Sequence, residues 1–410
     1  MRISFFLVES IITSIVIKVH MEVKYNSKKL RFECKDNDLW YPLTIGHEEE
    51  AMKAPFRIDR YRIEVSLACN LKCKYCVVHM NNVKQMNTIM SIETARLIVD
   101  KYNKEVGKNG SVFIMGGEPL TNIPVVKYII ENSKGASIIF TNALLLDDDL
   151  IDFFYKHGTY ILTSLDGYSL MQNEKRFWPK GEQIYNKVIG NIKNAINRGC
   201  KVGVSCLLHN GNIKDAGDIA EYFVKELGAR AMSFAYPHRT MGNSEEDNFN
   251  FEEYLESLIK VYNVAKSCAV YVDQIGKIMS NIVYGRKRFL GCKAGTTQRT
   301  FYPDGHETIC TKIDTQNGFS IDDYINKLPY YNEECTKCIA HGLCCGECPW
   351  DFLVATKKGI GPHKRICEFY KGFVEYIVDD IKCHLSTAKT IGEAKLLLEK
   401  YYIPLTKNYT

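Results

Sequence analysis

The sequence predicts an α/β protein built as an incomplete, TIM-like (β/α)6 barrel, followed by a small Cys-rich domain and a closing helix. Three observations predict it. Between about residues 60 and 270, short β-rich runs alternate with stretches whose apolar residues recur at helical spacing, the pattern of parallel βαβ units. Six such units fit in that interval, fewer than a closed barrel of this type uses. After about residue 280 the alternation stops and the chain turns to Cys, Gly and Pro with short apolar runs. An open doubly wound sheet fits the same alternation, and periodicity alone does not separate the two.

In chain order, residues 1–60 read as an N-terminal extension with a strand-rich lead-in over 21–60. The apolar runs 5–8 and 11–17 are interrupted by Glu9, are too short to span a bilayer and precede no small-residue cleavage site. Neither an export signal nor a membrane span is therefore expected, and an ill-ordered extension or a start at Met21 is the simpler reading. The barrel takes residues 61–280, with strands at 61–67, 112–115, 137–141, 160–164, 202–207 and 231–236. Helical spacing places Ile92, Ala95, Ile98, Val99 and Tyr102 on one face of the first helix, and Ile219, Tyr222, Phe223 and Leu227 on one face of a later one. Ser91 and Asp215 suit N-caps, and Gly158, Gly199 and Gly228 fall where a helix should stop. The Cys-rich domain spans 281–372 and should draw much of its stability from metal. A helical tail occupies 373–410, with one mixed-charge helix over 373–398.

The 410-residue chain, 46% hydrophobic and 25% charged, is excluded from the collagen-like, low-complexity and disordered classes. Its charge of +5 comes from 53 basic and 48 acidic residues, too thinly spread for a nucleic-acid partner. Of the 16 Cys, three lie between 69 and 76 and eight between 292 and 367. Such clusters read as metal sites, because disulfide frameworks belong to short exported chains. The expected compartment is the cytoplasm, whose reducing conditions keep thiolates available as ligands. Cys34, Cys200, Cys206, Cys268 and Cys383 are scattered and read as ordinary buried thiols.

Cys69-x3-Cys73-x2-Cys76 directly follows the first barrel strand, at the edge where barrel active sites collect. Three thiolates leave one iron of a four-iron cube open, whereas structural zinc is closed by four protein ligands. His79 as a fourth ligand would make the zinc alternative. Gly116-Gly117-Glu118-Pro119 ends the second strand, with glycines that permit close backbone approach and a carboxylate able to accept from an ammonium group. Thr141-Asn142 and Ser164-Leu165-Asp166-Gly167 end the third and fourth strands. Their polar groups can face a ligand or cap their own turns, and Ser164 and Asp166 are the candidates there.

With Tyr75 just before its last Cys, the three-Cys loop resembles the defining motif of the radical S-adenosylmethionine (SAM) superfamily, and residues 116–119 resemble that family's GGEP segment. The resemblance implies a [4Fe-4S] cluster on Cys69, Cys73 and Cys76, with SAM chelating the fourth iron. It places Tyr75, Gly116, Gly117, Glu118, Ser164 and Asp166 around SAM and implies no catalytic side chain beyond the cluster itself.

Downstream, twelve residues separate Cys292 from Gly305 and four separate Gly305 from Cys310; Cys335-x2-Cys338-x5-Cys344-x3-Cys348 and Cys367 follow. This pattern resembles the SPASM extension of radical SAM enzymes that act on peptides. By that resemblance Cys335, Cys338, Cys344 and Cys367 hold one auxiliary iron-sulfur cluster, and Cys292, Cys310 and Cys348 the other. Relatives carry a further Cys in the stretch matching 285–291, which here has none, so an open iron, a smaller cluster and a single auxiliary cluster all stay open. Cys345, next to Cys344, is an alternative ligand, and a double zinc knuckle is the structural alternative to clusters.

The resemblance covers about residues 60–370 and is nearest to sactisynthases, which join a Cys sulfur to the α-carbon of another residue in a ribosomally made peptide. It implies a Cys-containing precursor peptide and an electron donor such as flavodoxin or ferredoxin as partners. Only 68 residues precede Cys69, little room for the full winged-helix leader-binding domain of many peptide maturases. The competing readings are a sulfatase-type maturase oxidising Cys or Ser, a radical SAM enzyme for a small molecule, and a zinc-binding adaptor without enzymatic activity.

Overall fold

The computed structural model describes residues 21–36, 39–43, 57–78, 88–177, 180–237, 249–288, 291–311, 333–344, 348 and 364–406. The apolar runs before residue 20, His79 and Cys345 lie outside the described residues.

The lead-in forms an antiparallel sheet of β1 (Val23–Asn26), β2 (Arg31–Asp36) and β3 (Leu39–Leu43). The strands expected in the barrel are all present: β4 (Arg60–Ser66), β5 (Ser111–Gly116), β6 (Ala136–Thr141), β7 (Tyr160–Ser164), β8 (Val202–Leu207) and β9 (Ala231–Ala235). Each pairs in parallel with the next. A two-residue strand, β10 (Tyr271–Val272), continues the series beside β9. On the other side of β4 lies β11 (Gln298–Phe301), parallel to it, and then antiparallel β12 (Glu307–Thr308).

Strand order therefore runs β4 to β10 in chain order. It lacks the reversal that defines a doubly wound sheet, and β4 and β10 pair with other strands rather than with each other. The architecture is the incomplete parallel barrel.

Between the strands run α1 (Ile92–Glu105), α2 (Ile123–Asn132), α3 (Asp148–Lys156), α4 (Gly181–Asn197), α5 (Ala216–Lys225), α6 (Phe251–Cys268) and α7 (Asp273–Tyr284). Ser91 caps α1 as expected, its Oγ accepting from Thr94 N–H at 3.1 Å. Asp215 differs. A 3-10 turn over Ile213–Asp215 precedes α5, and the Asp215 carboxylate gives no cap but accepts from Gln172 Nε2 at 2.8 Å. The tail also differs from the single helix expected, being α8 (Lys364–Leu385) and α9 (Ile391–Tyr401). Ser386 and Thr387 turn their hydroxyls onto the carbonyls of Cys383 and His384, and Thr390 caps α9, so local side-chain bonds compete with helix continuation.

The two faces of β4 organise the site. Tyr61, Ile63 and Val65 are fully buried, with Tyr61 edge-on to Tyr102 of α1. Arg60, Arg62 and Glu64 alternate with them and so face the barrel lumen. There the Arg60 guanidinium lies over the Phe113 ring, 3.9 Å from its centroid, and Phe113 meets Phe140. The β11–β12 hairpin is fastened to α1 by Arg299, which donates to both Glu105 oxygens at 2.6 and 2.7 Å and to Glu307 at 2.6 Å.

Candidate metal centre and cofactor site

All the candidate strand ends meet at the C-terminal edge of the parallel sheet, because parallel strands present their ends to one side. The cysteine loop leaves β4 there and is held from two directions. Gly117 and Glu118 donate backbone N–H bonds to Ser66 and Ala68 carbonyls, both at 2.8 Å, and Lys74 N–H bonds to Lys175 O at 2.9 Å. Cys69, Cys73 and Cys76 are all partly buried. Burial first, then the charges of Glu118, Cys73 and Cys76, push the Cys69 thiol up to about 12. Burial also raises Cys73, with Cys76 adding and Arg176 opposing.

Gly116 and Gly117 serve this loop more directly than they serve a ligand. A Cβ on Gly116, whose φ is +146°, would stand 2.0 Å from Ser66 O, and one on Gly117 would stand 2.5 Å from Leu67 O and 2.6 Å from Ala68 O. Only glycine lets the end of β5 press against the backbone that carries Cys69.

Glu118 is 1% exposed, so its carboxylate is not a solvated side chain on a surface turn. Its Oε1 accepts from Leu120 N–H at 3.0 Å and Thr141 Oγ1 at 2.7 Å, and its Oε2 from Asn142 N–H at 2.8 Å. Burial raises its pKa against the pull of these donors and of Arg176. The carboxylate thus ties the end of β5 to the end of β6, keeping one acceptor position on Oε2. Asn142 in turn donates from Nδ2 to Asn70 Oδ1 at 2.7 Å, with Cys69 Sγ at 4.0 Å.

Asp166, fully buried, is spent in a similar way: its Oδ2 accepts from the Tyr75 hydroxyl and its Oδ1 from Leu207 N–H at 3.0 Å. Burial and the neighbouring Asp166 and Cys73 hold the Tyr75 phenol well above its ordinary pKa, against Arg176, so Tyr75 stays a neutral donor. Ser164 is half-buried at the end of β7, level with Ser205 of β8.

Arg176 escaped the sequence reading. It is 6% exposed, donates from Nη1 to the Tyr75 hydroxyl at 2.9 Å, and keeps a buried Nε without a partner. Burial opposes its charge, but Tyr75, Cys73 and Asp166 more than restore it. Its backbone carbonyl accepts from the Cys73 thiol at 3.8 Å. The sequence offers little cue, since Lys175-Arg176 looks like any exposed basic pair. A buried guanidinium with a free donor beside the Cys73 thiol suits an anionic ligand such as a carboxylate.

Five of the C-terminal cysteines lie in two groups. Burial raises the Cys335 and Cys367 thiols, and each feels the charge of Cys338, with Cys335 also feeling Cys367. Cys292 and Cys310, on either side of the β11–β12 hairpin, both lie within range of the Arg62 charge. Cys344 lines a cavity of about 240 Å³ with Ser233, Ala235, Gln274, Arg288 and Tyr370, between the β9 end of the barrel and the Cys-rich segment. Cys348 is partly buried. Among the described residues no three His, Cys, Asp or Glu side chains converge to hold a single ion.

Residues 63–223 match the family model "Radical SAM superfamily". Among curated proteins, the chain is 21% identical over 366 residues to the radical SAM cyclopropyl synthase TigE of Paramaledivibacter caminithermalis, covering 79% of this chain and 74% of that one. It is 22% identical over 349 residues to the cysteine-type anaerobic sulfatase-maturating enzyme of Clostridium perfringens, covering 76% of this chain and 94% of that one. Among solved structures, anSMEcpe with bound AdoMet superposes with a TM-score of 0.65 at 20% identity, over 79% of this chain and 99% of that one. Streptococcus suis SuiB bound to the precursor peptide SuiA gives a TM-score of 0.55 at 16% identity, over 75% of each chain. Among the described residues no helix is long and apolar enough to cross a membrane. The incomplete parallel barrel of this chain, with its three-cysteine loop at the C-terminal edge of β4, is the part that is similar to the radical SAM superfamily.

Proposed function

We propose that this protein is a peptide maturase that joins a Cys sulfur to the α-carbon of another residue within a ribosomally made precursor peptide. Within that class its length, N-terminal region and motif context most resemble the sporulation killing factor maturation enzyme. The observation that carries the reading is the presence of two thiol systems: three partly buried cysteines at the C-terminal edge of β4, and a further group in the Cys-rich segment, where Cys344 lines a cavity at the β9 end of the barrel. Likeness to maturases such as the sulfatase-maturating enzyme, and to SuiB, whose structure holds a precursor peptide, supports a peptide as substrate.

Cys69, Cys73 and Cys76 would hold the [4Fe-4S] cluster, and the free donors of Arg176 with the remaining acceptor position of Glu118 would orient SAM. The bound pair supplies a 5′-deoxyadenosyl radical able to remove a hydrogen atom from carbon. The chain's own part is to fix this geometry and exclude water. In the net reaction the peptide loses two hydrogens, one as an atom from the α-carbon and one as the thiol proton with an electron. Cys335, Cys338, Cys344 and Cys367, or Cys292, Cys310 and Cys348, would hold the group that takes the electron. An external donor such as flavodoxin or ferredoxin would reduce the first cluster.

The test is tandem mass spectrometry of Cys-containing peptides encoded beside the gene, after anaerobic incubation with the iron-loaded protein, SAM and dithionite. A product lighter by two hydrogens, with no alkylatable thiol and with two residues that fragmentation fails to separate, is expected. Side-chain oxidation of Cys or Ser without a crosslink would favour the sulfatase-type reading, which the Clostridium perfringens likeness supports.

A further inference from the structure

The lumen face of β4 carries three ionisable residues in succession, Arg60, Arg62 and Glu64, and the radical-generating loop engages none of them. The Glu64 side chain is fully buried; its Oε1 accepts from Arg62 Nε at 2.7 Å, while its Oε2 has no partner. Arg62 reaches the other way with Nη2, donating to Thr311 Oγ1 at 3.1 Å. Thr311 follows Cys310. Strand β11, paired to β4 in the register Thr300 to Arg62, lies six residues after Cys292. Arg62 therefore links a buried lumen carboxylate to the hairpin that brings in both cysteines. Arg60, two residues earlier, also lies within range of Cys292, and its Nε is buried and unpartnered. The other nearby charges are matched, Asp59 by Lys293 at 2.6 Å and Asp273 by Lys277 at 2.5 Å.

We propose that Arg62 is a positioning residue that sets the redox potential of the iron-sulfur group held at Cys292 and Cys310, with Glu64 as its opposing charge. The proposal rests on the reading that those cysteines are cluster ligands. Adding an electron to a thiolate-bound cluster increases its negative charge. A guanidinium nearby, in surroundings of low dielectric, stabilises that reduced form, and a carboxylate behind it opposes the effect. Arginine suits the task because it stays charged and its fork serves Glu64 and Thr311 at once. A fully buried carboxylate with an unpartnered oxygen is costly, so its presence calls for a role beyond packing.

The test is a redox titration of the iron-loaded full chain followed by electron paramagnetic resonance, with the relevant signal assigned as the one lost in C292A. R62Q is expected to change the reduced-to-oxidised ratio at a given potential tenfold toward oxidised, a fall of about 59 mV for one electron. E64Q is expected to move it the opposite way, and R62K to stay near the parent. A merely structural Arg62 would not give shifts of opposite sign for the two variants. Shifts in the same direction, or unchanged potentials at parental iron content, would overturn the proposal. If R62Q loses iron, E64Q decides: a rise sustains the proposal, and no rise overturns it. Iron content and signals unchanged in C292A would overturn the cluster reading as well, whereas a signal lost in C292A but indifferent to R62Q and E64Q would overturn only the role of Arg62.

Discussion

Two buried carboxylates, Glu118 and Asp166, brace the strand ends rather than standing open to solvent. Glu118 fastens β6 to β5 through Asn142 N–H, and Asn142 in turn touches Asn70 beside Cys69. Glu118→Gln turns an amide NH2 toward one of three donors, leaving a buried donor unpaired. It should cost about 1–3 kcal/mol of stability, read as a lower denaturant midpoint, and loosen the loop that carries Cys69. An unchanged midpoint with weaker SAM binding alone would mean that the carboxylate acts on the ligand and not on the scaffold. Tyr75 is the second case, because its hydroxyl donates to Asp166 while accepting from Arg176. Tyr75→Phe strands both partners, so a loss of about 1–3 kcal/mol is expected, together with reduced iron retention in the three-cysteine loop. Parental stability and iron content would show that Asp166 and Arg176 find each other without the phenol.

At the scale of elements, strands and helices were legible because apolar spacing records which face is buried, and every barrel strand lies within two residues of its expected position. Which carboxylate bonds which strand end was not legible. That depends on register, such as Ile114 beside Ile139, which places Glu118 next to Thr141 and Asn142. The GGEP glycines were legible as positions of close approach, but the partner proves to be the backbone of the cysteine loop. Gly117→Ala should therefore displace Leu67 and Ala68, because a backbone carbonyl at 2.5 Å cannot yield as a side chain can. Circular dichroism near parental with most SAM cleavage lost is the expected result, and full activity would refute the close packing. His209 offers a pH test of the neighbouring turn. Its ring accepts from Gly211 N–H at 3.0 Å and lies 3.1 Å from Gln172 O, and burial holds its pKa below the ordinary value despite Asp166. The unfolded chain then binds the proton more readily, so stability is full above the ordinary pKa of about 6.5 and falls as pH drops toward the lower folded value. Denaturant midpoints should decline below that pH in the parent and less steeply in His209→Gln; equal slopes would exclude His209 as the source.

For the whole molecule, the βα alternation of a parallel sheet was legible but its winding was not, since alternation says nothing of which strands are neighbours. The hairpin from the Cys-rich region extends the same sheet through β11 and β4, clamped by Arg299 on Glu105 and Glu307. Two-residue strands such as β10 and β12 are too short to leave a periodic signal. This continuity bears on how far the two thiol systems act independently. Cys335, Cys338 and Cys367 group near the start of α8, while the GGEP and Arg176 contacts around the three-cysteine loop come from barrel elements alone. Replacing Cys335 and Cys338 together by Ala should leave cleavage of SAM to 5′-deoxyadenosine within about threefold of the parent, a barrier change below about 1 kcal/mol, while crosslinked peptide falls below detection. Circular dichroism and solubility must match the parent, because metal binding and folding are linked in small Cys-rich segments. Should the double variant make crosslinked peptide at the parental rate, those cysteines hold structure only. Should it lose SAM cleavage at parental circular dichroism, the two systems are coupled through the shared sheet, and the β11–β12 hairpin becomes the element that couples them.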